Sequence, residues 1–172
     1  MTSSSRARAA LGAATVSLSL SLLAVAVPGA AHAQQGSDEP RLIAFAGGES
    51  PGVSVQSRAD AKKLHGTGRA FKRFIGTAAK DLVEASSCGD EGYVGITVDV
   101  MRTDGYAAGG VNDCGGYAAL WAVVDGAWKQ IAGTQEAWDC RILRRHDVPS
   151  DVAGDTCYAY HGDHQQHHYH QD

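Results

Sequence analysis

The sequence predicts an α+β fold, with one amphipathic helix packed on a small antiparallel sheet of three or four strands and a disulfide-closed lobe at the C-terminal end. Three observations point there. A helical apolar stripe runs from about Thr67 to Glu84. Alternating apolar residues from Tyr93 to Met101, and an Asp125-Gly126 pair between two apolar segments, mark strands and a hairpin. Four cysteines follow an export-type leader, and an even count reads as two bridges in an oxidising compartment. The length of 172 residues leaves room for one domain. With 15 Lys plus Arg against 19 Asp plus Glu, the net charge of −4 excludes a basic protein that coats nucleic acid.

The leader spans residues 1–33. Arg6 and Arg8 precede the apolar stretch Ala9 to Val27, Pro28 ends it, and Ala31-His32-Ala33 places small residues where a signal peptidase reads them. The stretch approaches the ~20 apolar residues of a membrane anchor, so an uncleaved anchor is the alternative. Cleavage after Ala33 is favoured. It would leave 139 of the 172 residues, move the net charge from −4 to −6 by removing two arginines, and release a secreted chain with no membrane span. No cysteine precedes Cys88, which excludes lipid anchoring at the cleavage site.

Residues 34–57 mix Gly, Pro, Ser and charge and are expected to form a mostly flexible arm, with Leu42 to Ala46 as a possible edge strand. A single α+β domain is expected over 58–160. Within it Leu64, Phe71, Phe74, Ile75, Ala78 and Leu82 fall in one helical arc, opposite Lys62, Arg69, Arg73 and Lys80. Ser57-x-x-Asp60 fits a capping box, although Gly66 and Gly68 interrupt any helix starting there. In the strand Tyr93–Met101, Val94, Ile96, Val98 and Val100 share a face. Thr103–Gly116 holds five glycines and reads as a loop or bulged crossover. Asp125-Gly126 then predicts a two-residue turn pairing Val124 with Ala127, so that Val123 faces Trp128 and Trp121 lies diagonally opposite. Asp139 is a candidate N-cap for a short helix Cys140–His146. Cys88, Cys114, Cys140 and Cys157 allow three pairings. Cys88–Cys114 with Cys140–Cys157 is favoured because each closes a short loop, contributing ~3 kcal/mol on the chain-entropy account. Residues 161–172 lack apolar periodicity and are expected to be a disordered His-rich tail.

From Cys114 to Tyr158 the chain resembles a group of small exported proteins of actinobacterial type. The pieces are Cys114-Gly115-Gly116, Leu120-Trp121-Ala122, Asp125-Gly126-Ala127-Trp128, Gly133-Thr134-Gln135, Asp139-Cys140-Arg141-Ile142-Leu143, Val148-Pro149 and Cys157-Tyr158. With the upstream helix and strand, the likeness covers about residues 66–158. No activity is assigned to that group, so the resemblance implies export, paired cysteines and an α+β domain, and transfers no catalytic residue. The element order also resembles cystatin-like and NTF2-like folds, a likeness that says nothing of activity.

Enzyme signatures are missing from the sequence. There is no G-x-S-x-G elbow, no H-E-x-x-H pair and no phosphate-binding P-loop. His65, Glu136, Asp139, His146 and Asp147 are the residues of general acid–base type, without a spacing that unites them. Two surfaces invite ligands. His161, His164, His167, His168 and His170, beside Asp163 and Asp172, offer imidazoles suited to Zn, Cu or Ni. Lys62, Arg69, Arg73 and Lys80 form a basic stripe in a chain whose residues 34–87 net +2, from eight basic and six acidic groups, against −8 for 88–172, from five and thirteen. That stripe is a candidate anion-binding face. The sequence therefore favours a small secreted, disulfide-stabilised, non-enzymatic binding domain whose partner is an extracellular protein or cell-wall polymer. A metal-binding tail and a small hydrolase using His146 with nearby carboxylates are the alternatives.

Overall fold

The computed structural model describes residues 39–88 and 92–172, so the leader and its cleavage site lie outside the described residues. Its elements are strands β1 (Leu42–Ala44), β2 (Ala46–Gly47), β3 (Ser50–Pro51) and β4 (Val53–Val55), a 3₁₀ turn (Asp60–Lys63), helix α1 (Arg69–Ala85), and strands β5 (Gly95–Arg102), β6 (Tyr106–Asn112), β7 (Gly116–Val124) and β8 (Ala127–Thr134). They continue with helices α2 (Cys140–Arg145) and α3 (Ser150–Ala153) and strands β9 (Thr156–Tyr158) and β10 (Gln166–His168). The class is α+β with antiparallel ladders throughout the main sheet.

That sheet has six strands rather than three or four. The order β5-β6-β7-β8 is a meander, and β1 and β4 both pair with β5, β1 along Val100–Arg102 and β4 along Ile96–Val98. Two expectations are corrected here. The arm expected to be mostly flexible is instead strand-forming from Leu42 to Val55, because β5 would otherwise expose a row of unpaired backbone groups. The glycine-rich stretch expected as a loop contains β6. Its small residues carry little strand propensity, yet they are what lets it lie between two close neighbours. A Cβ on Gly109 would stand 2.0 Å from the Thr97 carbonyl oxygen.

A bulge at Asp99 changes which face β5 presents. Val98 pairs with Gly109 and Val100 with Ala108, so Asp99 is the extra residue. The alternation therefore breaks. Ile96, Val98 and Met101 enter the core under α1, whereas Val100, expected beside them, packs on the opposite face.

On the first face α1 buries Phe71, Ile75 and Ala79 against Val55, Val98, Ala107, Val111 and Trp121. The helix spans nearly the predicted residues. The capping motif is real but serves the 3₁₀ turn: the Asp60 amide donates to Ser57 Oγ (3.3 Å), and Asp60 Oδ2 accepts from the Ser57 hydroxyl (2.8 Å) and the Gln56 amide (3.3 Å). Gly66, at φ +81°, then separates the turn from α1. The β7–β8 hairpin is as predicted. Asp125 and Gly126 both take positive φ, Val124 pairs with Ala127, and Val123 pairs with Trp128.

The second face is half covered. Leu120, Ala108, Val100 and Ile131 meet Leu143, Val148, Val152 and Tyr169 of the C-terminal lobe. The lobe is closed by Cys140–Cys157, both sulfurs buried, while Cys88–Cys114 ties the end of α1 to the β6–β7 turn. Asp139 caps α2 by accepting from the Arg141 amide at 2.8 Å.

The His-rich end is likewise not the expected disordered tail. Gln166–His168 pair with Thr156–Tyr158, the Tyr169 amide donates to Asp155 O (2.7 Å), and the buried Tyr169 hydroxyl donates to Val148 O at 2.6 Å. Backbone pairing and one anchoring ring suffice here, and neither leaves an apolar period to read. One compact unit accordingly takes in the described residues on both sides of the 58–160 limits.

Candidate functional site

The lobe leaves the other half of the second sheet face open. Thr97 and Asp99 of β5, Gly110 of β6, Ala118 of β7 and Thr134 of β8 line a depression of about 620 Å³. It adjoins a second of about 710 Å³ lined by Tyr117, Gln130, Gly133 and Tyr160. Tyr117, Thr134, Gln135 and Glu136 line both, which makes them one shallow cleft. Its floor is largely bare backbone, because Gly109, Gly110 and Gly116 carry no side chain there.

The walls are positioned by short-range hydrogen bonds. Thr134 Oγ1 donates to Ala137 O (3.2 Å) and accepts from the Glu136 amide (3.1 Å), turning the chain out of β8 and presenting Gln135 and Glu136. Gln135 Nε2 donates to Gly116 O at 2.9 Å, and Gln130 Nε2 reaches the Tyr117 hydroxyl at 3.5 Å. Tyr160 arrives from the other direction. Buried Cys157 anchors β9, the Tyr158 amide donates to Trp138 O (2.8 Å), and the Tyr158 and Tyr160 rings meet at 4.6 Å and 55°. The Tyr160 hydroxyl then lies 3.2 Å from both Glu136 Oε2 and Ala137 O.

The cleft is acidic. Among the described residues, Asp99 and Glu136 are its charged groups, and no Lys, Arg or His lines it. Burial pushes the Asp99 carboxyl above the usual carboxylate range. The half-buried ring of Tyr117 and that of Tyr160 add apolar faces, and the two glutamines add amide donors and acceptors.

Of the acid–base candidates, the structure brings Glu136 and Asp139 to this region, where His161 Nε2 stands 3.9 Å from Asp139 Oδ2. His65 is exposed in the turn before α1. His146 ends α2 with its carbonyl accepting from the Tyr106 hydroxyl at 3.0 Å, and Asp147 follows at φ +47°. The tail histidines do not converge. His161 faces Asp139, His167 bonds Asp163 at 3.0 Å, His170 lies 3.2 Å from Asp172, and His164 offers its carbonyl to Tyr158. His168 sits beside His167 on β10, where neighbours point to opposite faces. Among the described residues, no three ligand atoms of this tail lie within 4.8 Å of one another; the group that does is Cys88, Asp113 and Cys114, whose thiols are consumed in a bridge.

Arg69, Arg73 and Lys80 of the basic stripe share one face of α1, and Lys62 stands apart from it. Lys62 belongs to the 3₁₀ turn, Arg69 opens α1, Lys80 is paired with Glu84, and Arg73 lines a separate groove beside β8. Asp99, Tyr117, Gln130, Gln135 and Tyr160 were not singled out by the sequence. For Asp99 and Tyr117 the signal is the run of glycines between them, which marks a floor rather than a loop.

Comparisons of the chain with protein-family models, with curated proteins and with solved structures found no match. No helix among the described residues is long and apolar enough to cross a membrane.

Proposed function

We propose that the chain is a small secreted, non-enzymatic binding domain that holds a neutral glycan segment of cell-wall type in the cleft on the open half of its sheet. One observation carries this reading: Tyr117 and Tyr160 flank amides and carboxylates in a cleft that no cation among the described residues lines. Sugar rings pair an apolar C–H face with a hydroxyl edge, which is the complement of an aromatic ring beside amide and carboxylate groups. Two carboxylates disfavour phosphorylated or sulfated polymers. The two disulfides support an oxidising compartment. Export through residues 1–33, kinship with the actinobacterial-type group and a cystatin-like or NTF2-like arrangement belong to the same proposal.

A second reading, hydrolysis of that glycan, is favoured by Asp99, a carboxyl raised by burial in the same cleft as Glu136. Calorimetric titration with an N-acetylglucosamine tetramer, followed by assay for new reducing ends, separates the two. Binding is expected to saturate, to weaken at least tenfold in Tyr160→Ala and Gln135→Ala, and to produce no new ends. New ends lost in Asp99→Asn would establish hydrolysis instead. No saturable binding to this or other neutral oligosaccharides would remove both.

A further inference from the structure

The groove between α1 and the start of β8 lies across the sheet from the glycan cleft and shares no residue with it. Its volume is about 490 Å³. Phe74 and Ala78 of α1 and Trp128 of β8 make its wall apolar, and the partly buried Trp128 indole lies 4.6 Å from the Phe71 ring and 6.4 Å from Phe74. Its charges sit at two places on one helix. Arg73 and Asp81 are eight residues apart, about 12 Å along the axis at 1.5 Å per residue. Neither forms an ion pair among the described residues, in contrast to Lys80, which is tied to Glu84.

We propose that this groove binds a small monocarboxylate with an apolar body, the carboxylate on the Arg73 guanidinium and the body along Phe74, Ala78 and Trp128. A guanidinium presents a fork of donors that matches a carboxylate. An elongated apolar strip beside it rewards a chain or ring system more than an inorganic anion. Asp81, two turns away, sets the selectivity, because it repels a second negative charge at the far end. The ligand class is therefore a fatty-acid-like or aromatic monoacid.

The test is a titration of the oxidised, ¹⁵N-labelled protein with decanoate, decanol and decanedioate below their micellar or solubility thresholds, following the Trp128 indole N–H, assigned with Trp128→Phe. Decanoate is expected to shift that resonance saturably. Decanol and decanedioate are expected to bind at least tenfold more weakly. Arg73→Gln, an exposed position, should weaken decanoate at least tenfold, Asp81→Asn should bring decanedioate closer to decanoate, and Ala127→Leu should block the groove. An unmoved Trp128, equal affinity for the alcohol and the acid, or an Arg73→Gln protein that binds decanoate as wild type does would each overturn the proposal.

Discussion

Gly109→Ala should be among the most damaging single-methyl substitutions in the protein. The new Cβ would lie 2.0 Å from the Thr97 carbonyl oxygen and 3.0 Å from both Thr97 C and Val98 Cα. Carbon-to-oxygen contacts between strands settle near 3.3 Å, so β5 and β6 must part by more than about 1 Å at the Asp99 bulge. Every obstructing atom is backbone, so no side-chain rotation relieves the clash. Overpacking of this kind costs about 1–3 kcal/mol, and parting the strands forfeits one or two ladder hydrogen bonds at about 1 kcal/mol each. The lower unfolded-state freedom of alanine offsets roughly 0.5–1 kcal/mol. The net loss is about 1–4.5 kcal/mol, which with a urea slope of about 2 kcal/mol/M lowers the midpoint by roughly 0.5–2 M. Tryptophan fluorescence with the bridges oxidised reports it. The neighbouring Gly110→Ala is the control, since the nearest atom to its Cβ is Tyr117 O at 3.8 Å; it should stay within about 0.5 kcal/mol of wild type. Equal midpoints for the two variants would refute the close approach of β5 and β6.

Four further outcomes are expected. Reducing agent should open Cys88–Cys114 before Cys140–Cys157, because Cys114 is exposed and both sulfurs of the second bridge are buried, as alkylation and peptide mapping would reveal; replacing Cys140 and Cys157 together should cost about 3 kcal/mol or more. Lys63, Ser57 and the Gln56 amide hold the Asp60 carboxyl down at about 2, from 3.8; its contribution is thus complete above pH 3.8 and fades as pH falls toward about 2. Asp60→Asn should therefore lose about 1 kcal/mol near neutrality and converge on wild type in acid melts. Tyr169→Phe should cost about 1 kcal/mol by stranding the Val148 carbonyl, and ending the chain at Tyr160 should cost more in the same urea series, since it also removes β10. Zinc, finding no preformed triad in the tail, must unpair β10 to chelate, so calorimetry should give a Kd weaker than about 1 μM and hydrogen exchange should quicken at β9–β10 amides on zinc addition.

What could be read in advance follows from how local each signal is. The α1 stripe, the Asp125-Gly126 turn and the Asp139 cap depend on residues within a few positions of one another, and each is found where its pattern stands. Sequential pairing of the cysteines is local in the same sense. The missed strands are non-local. β1 and β4 have three residues each and exist because β5 needs an edge partner. β6 reads as a loop because of its two adjacent glycines, of which Gly109 is required by the close approach of the Thr97 backbone. The Asp99 bulge moves Val100 to the other core by inserting a single residue, a shift no alternation count detects.

The candidate cleft was hidden for the same reason. Its floor is made of glycines that, read along the chain, signal a loop, and its walls come from residues as distant as Thr97, Tyr117, Glu136 and Tyr160. Tyr160 reaches the cleft only because Cys157 anchors β9 and because the segment after it returns as β10, so the supposed tail supports one wall of the site. That linkage argues against truncation as a probe of the His-rich end. Removing residues 161–172 would loosen Tyr160 along with the histidines, and a lost activity would report on both. Individual His→Gln substitutions at exposed His164 and His168 keep the β9–β10 pairing and separate metal capture from glycan binding.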